Sequence, residues 1–366
     1  MGKLNDLSAA GTAVWLDFVD RRFVADGGLK KLVDEDSLTG VTSNPAIFEK
    51  AMGQGDAYDA GFSAWDQANP GAATIDRYEA QAIDDIRAAA DVLRPVYDRL
   101  DGADGYVSLE VSPYIADDTD ATIAEAAKLW RAVDRPNLMI KIPGTAAGVP
   151  AIAATIAAGI NVNVTLLFAQ AAYQKVAEAY ATGLEERVKQ GQPINRLASV
   201  ASFFVSRIDT AIDKKIDAIG TEEAKALRGR VAIANAKLAY AWWQAFVASP
   251  RWQMLAAKGA RPQRLLWAST GVKDPGYPET LYVDALIGPE TVNTIPPKTL
   301  DAFREKGTVA QTLTQDVDGA RRVLEEAERL GLDLDGVTTQ LVEEGVASFA
   351  KSFDDLLAAI AKRQGA

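Results

Sequence analysis

Leu138-Met139-Ile140-Lys141-Ile142-Pro143 and Asn161-Val162-Asn163-Val164-Thr165-Leu166-Leu167-Phe168 are the runs from which the fold is read. Both are short and apolar, and both have the β-branched character of strands. The Ala-rich stretches beside them, Asp117–Val133 before and Gln170–Gln190 after, repeat their apolar residues with the 3.6-residue period of amphipathic helices. Working outward, the same alternation recurs. Strand-like runs lie at Ala13–Val19, Thr39–Asn44, Tyr106–Val111, Ser199–Val205, Arg264–Thr270 and Glu279–Gly288, and Glu222–Ala248 is another helical stretch. With the two opening runs this makes eight strands, and eight strand–helix units point to a single (β/α)8 barrel rather than an open sheet. The spacers at 45–105 and 208–263 have room for extra helices, and the helical tail 298–366 is expected to pack on the outside. No low-complexity linker or internal repeat divides the chain, so residues 1–366 are expected to form one domain.

Lys141 stands out within its strand. A lysine flanked by aliphatics is costly to bury as an ammonium, and such a residue usually has a partner or a task. The chain has no histidine and no cysteine. A Ser-His-Asp relay, a thiolate nucleophile and a zinc site of the His/Cys kind are therefore excluded. An enzyme of this composition draws on Lys, Asp, Glu, Ser, Thr and Tyr, and a desolvated lysine forming a Schiff base is the leading nucleophile. Side-chain alternation adds company to it. Asn161, Asn163 and Thr165 share one face of their run, Ser108 and Glu110 share a face of theirs, and Asp17 interrupts the apolar Val14–Phe18. Asn44 closes its run and Ser202 sits midway through another. Polar residues thus recur near the C-terminal halves of the strands, where barrel enzymes build their sites.

The length of 366 residues suits one large barrel with insertions, and 48% hydrophobic with 24% charged residues is ordinary for a soluble globular protein. A net charge of −11 argues against non-specific nucleic-acid binding and against anionic membranes, so an anionic ligand needs a local cluster of cations. The N-terminal residues lack an apolar secretory core, and no run approaches the roughly 20 apolar residues of a membrane span. A cytoplasmic location is expected, and monomer and homodimer both remain open.

Seven segments carry a resemblance to the transaldolase family, in its longer bacterial form. They are Val14–Asp17, Thr39–Pro45, Val107–Pro113, Ile140–Thr145, Asn161–Phe168, Ala201–Asp209 and Leu266–Lys273, and they run in the family's order over most of the chain. The resemblance implies metal-independent transfer of a dihydroxyacetone unit, with no cofactor. The donors would be sedoheptulose 7-phosphate or fructose 6-phosphate, and the acceptors glyceraldehyde 3-phosphate or erythrose 4-phosphate, in the non-oxidative pentose phosphate pathway. It also implies roles. Lys141 would form the Schiff base, Asp17 would move the C4-hydroxyl proton, and Glu110 and Thr165 would handle protons around the carbinolamine. Asn44, Asn163 and Ser202 would hold the dihydroxyacetone hydroxyls, and Arg207, Ser269 and Lys273 the phosphate.

Each role has a structural competitor. Lys141 can snorkel to solvent, Asp17 can cap a helix or pair with Arg21 or Arg22, and Glu110 can be a mere counter-ion to Lys141. Asn163, Thr165 and Ser202 can be satisfied core groups, Asn44 a turn former, and Arg207 and Lys273 solvated surface cations. Asp284 is read as structural, and Trp267 and Phe203 as core. Two other functions compete. A fructose-6-phosphate aldolase, which releases free dihydroxyacetone, resembles the chain in strand order, but such enzymes are much shorter and typically carry Gln where Glu110 stands. A catalytically silent sugar-phosphate-binding barrel, or the N-terminal part of a fusion protein, is the third reading, and intact Lys141, Asp17 and Glu110 argue against silence.

Overall fold

A computed structural model describes residues 2–363. The eight parallel strands close in sequence order: β1 (Thr12–Leu16), β2 (Leu38–Val41), β3 (Tyr106–Glu110), β4 (Leu138–Pro143), β5 (Val162–Leu167), β6 (Ser199–Phe204), β7 (Arg264–Ala268) and β8 (Thr291–Ile295). β8 pairs with β1, Val14 opposite Asn293, which completes the (β/α)8 barrel anticipated from the alternation. Helices join the strands, because parallel neighbours require long crossovers. No helix among the described residues is long and apolar enough to cross a membrane.

The eighth strand is not Glu279–Gly288. That segment is a loop with one helical turn, Leu281–Asp284. Its Asp284 accepts the Thr280 hydroxyl at 2.7 Å and the Thr308 amide at 3.1 Å, which is the structural role expected of it. The strand falls on Thr291-Val292-Asn293-Thr294-Ile295, whose four β-branched residues suit a pleated ladder. β1, β2 and β7 also stop before the ends of their apolar runs. The mouth beyond them is buried too, as at Val19, Thr42 and Ser43, so the apolar pattern outlasts the ladder.

The long spacers hold extra helices. Three of them, Pro45–Gly53, Asp59–Ala68 and Thr74–Arg99, lie between β2 and β3. Within the tail, helix Val317–Arg329 packs on the outer helix Val231–Val247 as expected, and only the last helix departs from expectation. That helix, Leu334–Lys362, packs on helices Pro45–Gly53 and Ser206–Ile219, on the turn Pro113–Ile115 and on β5, all elements at the C-terminal ends of strands. At 29 residues it is about 43 Å long. It therefore roofs the mouth instead of lying outside the barrel. Gly345 permits the approach, since a Cβ there would lie 2.7 Å from Leu166 Cδ2.

The opposite end is closed by a polar knot. Asp104, just before β3, accepts Trp15 Nε1 at 2.9 Å, the Thr39 hydroxyl at 3.0 Å and Arg264 Nη1 at 3.0 Å. It so ties β1, β2 and β7 together at their N-terminal side. The Trp15 indole fills the space above Gly40, where a Cβ would lie 2.2 Å from its ring. Asp104→Ala is expected to destabilise the fold by about 3–5 kcal/mol, because it strands the largely buried Arg264 guanidinium. Denaturant unfolding checks this, and an unchanged midpoint would remove Asp104 as the strand tie.

Candidate active site

Register assembles the centre of the site. Glu110 on β3 lies opposite Lys141 on β4, and Lys141 lies opposite Asn163 on β5. Paired residues on parallel neighbours face the same way, so all three project into the barrel. The Lys141 amine is 3.2 Å from Glu110 Oε2 and donates to the Ser43 carbonyl at 3.1 Å. The Phe349 ring, on the roofing helix, is centred 5.7 Å from the amine. Lys141 is 4% exposed, which rules out snorkelling to solvent. Burial pushes the Glu110 carboxyl above the usual range, and the Lys141 ammonium opposes that rise.

Asn163 and Ser202 stand on one chain of hydrogen bonds. Ser202 Oγ donates to Asn163 Oδ1 at 2.7 Å, and Asn163 Nδ2 donates to Ser108 Oγ at 2.9 Å. The amide is thus held at one orientation beside the lysine, with an N–H to spare. Asn161, which alternation placed on the same face, is used lower in the barrel, where it bonds the Pro136 and Leu138 carbonyls and the Ala198 amide. Thr165 differs again. It is fully buried and its hydroxyl has no hydrogen-bond partner among the described residues. The ladder between β5 and β6 slips between Val164 and Leu167, and Leu166 takes a left-handed φ of 58°. A bulge of this kind re-aims a side chain at the end of a strand.

Asp17 lies one residue beyond β1, half-buried at the mouth. It accepts the Thr42 hydroxyl at 2.7 Å, and Thr42 is itself held by the Thr294 hydroxyl at 2.6 Å. Burial raises its pKa, while the charges of Lys141, Arg207 and Lys273 pull it down. Arg207, in the first turn of the helix after β6, and Lys273, on the loop after β7, both follow C-terminal strand ends and so lie on the same side of the barrel as Asp17. The next helix, Arg21–Ala25, is capped by Asp20, which accepts the Phe23 amide at 3.0 Å, so Asp17 is no cap.

Asn44 caps helix Pro45–Gly53, its Oδ1 accepting the Ile47 amide at 3.0 Å, which leaves its NH2 group available. Arg207 is the second residue of helix Ser206–Ile219 and lies 5.2 Å from the Phe204 ring centre. It has no ion pair or hydrogen bond among the described residues. Burial pulls its pKa down, and Asp17 and Glu110 oppose that. Ser269 has φ 54° and its hydroxyl is 2.9 Å from that of Ser206, whereas Lys273 is exposed on the loop after β7. The structure therefore joins Lys141, Glu110, Asn163 and Ser202 tightly, sets Asp17 and Thr165 around them, and places the proposed phosphate residues at the rim. Among the described residues no cluster of three or more acidic side chains is spaced to hold a metal ion.

Three contributors were not foreseen. Thr42 and Ser43 directly precede Asn44 at the end of its run, where the sequence pattern marks only the final residue. Phe349 gave no local signal, being far along the chain in a helix whose apolar face resembles any other.

The description "Transaldolase/Fructose-6-phosphate aldolase" matches residues 14–360 of the chain. A protein named transaldolase from Thermobifida fusca is 50% identical over 364 residues, covering 99% of this chain and 98% of its own. One of that name from Parafrankia sp. is 51% identical over 363 residues, and one from Mycobacterium tuberculosis is 48% identical over 353, covering 96% and 94% of the two chains.

Thr42 donates to the charged form of Asp17 and so holds its pKa down. Thr42→Val removes that hydrogen bond and is expected to raise the Asp17 pKa further. If Asp17 must be ionised for turnover, the acidic limb of the kcat/KM profile then moves upward. A limb that stays in place or moves down would exclude Asp17 as the group that sets it.

Proposed function

The chain belongs to the transaldolase/fructose-6-phosphate aldolase family, and from that premise we propose how its barrel mouth carries out the reaction. The protein is a transferase of transaldolase type, acting on sugar phosphates. Lys141 attacks the C2 carbonyl of a ketose phosphate, either sedoheptulose 7-phosphate or fructose 6-phosphate. The carbinolamine loses water and leaves an iminium. Glu110, in contact with the amine and pushed up by burial, takes the proton that the ammonium must lose and returns one to the departing hydroxyl. The orphaned Thr165 hydroxyl holds the water involved.

Asp17 then removes the C4-hydroxyl proton. The C3–C4 bond breaks, the aldose phosphate leaves, and the electron pair passes into the iminium as an enamine. An acceptor, glyceraldehyde 3-phosphate or erythrose 4-phosphate, binds in its place. C3 attacks its aldehyde, Asp17 returns the proton to the new hydroxyl, and water releases the product from Lys141. Asn44, Asn163 and Ser202 hold the hydroxyls of the retained three-carbon unit, the Asn163–Ser202 bond fixing which donor faces the substrate. Arg207, Ser269 and Lys273 hold the phosphate, Arg207 with two oxygens at once. The observation that carries this reading is the buried amine of Lys141, set in register between Glu110 and Asn163 with Asp17 in its field. The same reading places the enzyme in the cytoplasm and in the non-oxidative pentose phosphate pathway.

Borohydride reduction with fructose 6-phosphate is expected to trap an adduct on Lys141, located by peptide mass. Lys141→Ala should abolish turnover. Asp17→Asn should still be trapped but should cleave about 10²–10⁴-fold more slowly. Transfer to an erythrose 4-phosphate acceptor should exceed release of free dihydroxyacetone. An adduct on another residue would sink the mechanism, and dominant release of dihydroxyacetone would identify an aldolase of the related type.

A further inference from the structure

Arg207 and Lys273 reach the mouth from separate elements. Arg207 begins helix Ser206–Ile219 after β6, and Lys273 stands on the loop between β7 and the turn Leu281–Asp284. A clamp made from two such cations recognises a phosphate only if helix and loop keep one spacing.

One face of the helix carries Asp209, Asp213 and Asp217, each four residues from the last, on successive turns. Tyr277, four residues after Lys273, donates its hydroxyl to Asp213 Oδ2 at 2.6 Å, and Tyr282 donates to Asp209 Oδ2 at 3.0 Å. The second oxygens are taken by backbone amides, Gly229 on Asp213 at 3.3 Å and Ala232 on Asp209 at 2.8 Å. Asp274, the neighbour of Lys273, accepts Arg228 Nη2 at 2.7 Å, and Arg228 Nη1 reaches Asp217. At the start of the loop the Ser206 amide donates to the Ser269 carbonyl at 3.0 Å. The Tyr277 ring also packs on Gly229, where a Cβ would approach it to 3.0 Å. The loop is thereby tied to the helix at Ser269, Asp274, Tyr277 and Tyr282.

The chemistry of these ties is unusual for a merely structural contact. Asp209 and Asp213 are 1% and 7% exposed, yet neither forms an ion pair among the described residues. Buried carboxylates are expensive, and an apolar pair of the same size would hold loop to helix without that cost. Hydrogen bonds from tyrosine hydroxyls add direction, which apolar packing lacks.

We propose that Tyr277 with Asp213, and Tyr282 with Asp209, are positioning residues for phosphate selection, fixing the Lys273 loop against the helix that carries Arg207. Neither pair touches the substrate. The proposal rests on the reading of Arg207 and Lys273 as the phosphate clamp. Without the Tyr277 bond the loop drifts, and the phosphorylated substrate loses one of its two cations while the aldol centre near Lys141 is undisturbed.

Tyr277→Phe keeps the ring on Gly229 and removes only the hydroxyl, so it tests the bond directly. With fructose 6-phosphate as donor, the KM for glyceraldehyde 3-phosphate should rise about tenfold. The KM for unphosphorylated glyceraldehyde and the kcat should change less than about twofold. Inhibition by inorganic phosphate should weaken by the same factor as the KM rises. Tyr282→Phe should act in the same direction, and serves if Tyr277→Phe proves unstable. An equal loss on both acceptors, or no loss in either variant, overturns the proposal. Lys273→Ala and Arg207→Ala provide the separate control. If they weaken phosphate selection and the tyrosine variants do not, only the staple is wrong. If they too leave selection intact, the clamp itself is misassigned and the staple falls with it.

Discussion

The contact between the Lys141 ammonium and the Glu110 carboxylate is the constraint around which the barrel is arranged. Two charges taken out of water cost several kcal/mol each before their attraction is counted, and removing one partner leaves the other stranded. Parallel register sets the pair on adjacent strands with side chains facing inward, so their proximity follows from the ladder and not from a flexible loop. The Ser43 carbonyl accepts from the amine, Asn163 flanks it on the other strand, and the Phe349 ring covers it. Each neighbour supplies negative charge density, a polar surface or shelter from solvent. What makes the lysine expensive to bury also suits the nucleophilic role proposed for it, because a carboxylate is in contact with the amine and little water reaches it.

That arrangement explains why the C-terminal helix matters. Without it the lysine would lie open to solvent at the end of the barrel, screened and hydrated. The helix reaches the mouth because Gly345 lets its backbone settle on Leu166, at the place where β5 bulges. The bulge and the roof are thus one feature. A left-handed Leu166 is strained, and the strain falls beside Thr165, whose hydroxyl has no hydrogen-bond partner among the described residues.

Much of this could be read along the chain. Lys141 in an apolar strand, Glu110 and Ser108 alternating with aliphatics, and Asn163 two residues before Thr165 were visible, because a period of two reports which side chains share a face. Register was not visible, so the chain alone left Glu110 beside Lys141 as one possibility among several. β8 was misplaced because Leu281–Leu286 has the hydropathy of a strand. Thr280 and Asp284, which bond each other across that turn, are local polar signals that favour a helical turn, and they compete with the apolar pattern. The roof was missed for another reason. An amphipathic helix shows that it has a face to bury but not which surface receives it, and Phe349 meets Lys141 only through the closure of the whole barrel.

The two ends of the substrate are met by different physics. The reacting carbons face groups carried on strands, where the ladder sets position and burial sets acidity. The cations proposed to hold the phosphate stand on a helix terminus and a loop, elements that no ladder restrains. An anionic chain of net charge −11 cannot rely on its general field to draw a sugar phosphate in, so those few cations must be held where they act together. Long, solvated side chains lose that concert easily, since each has many rotamers and water competes for its charge. Directional bonds from Tyr277 and Tyr282 to buried carboxylates are a way to give a loop some of the constancy of a strand. The cost of burying Asp209 and Asp213 then has a counterpart at the rim, as the cost of burying Lys141 has one at the centre.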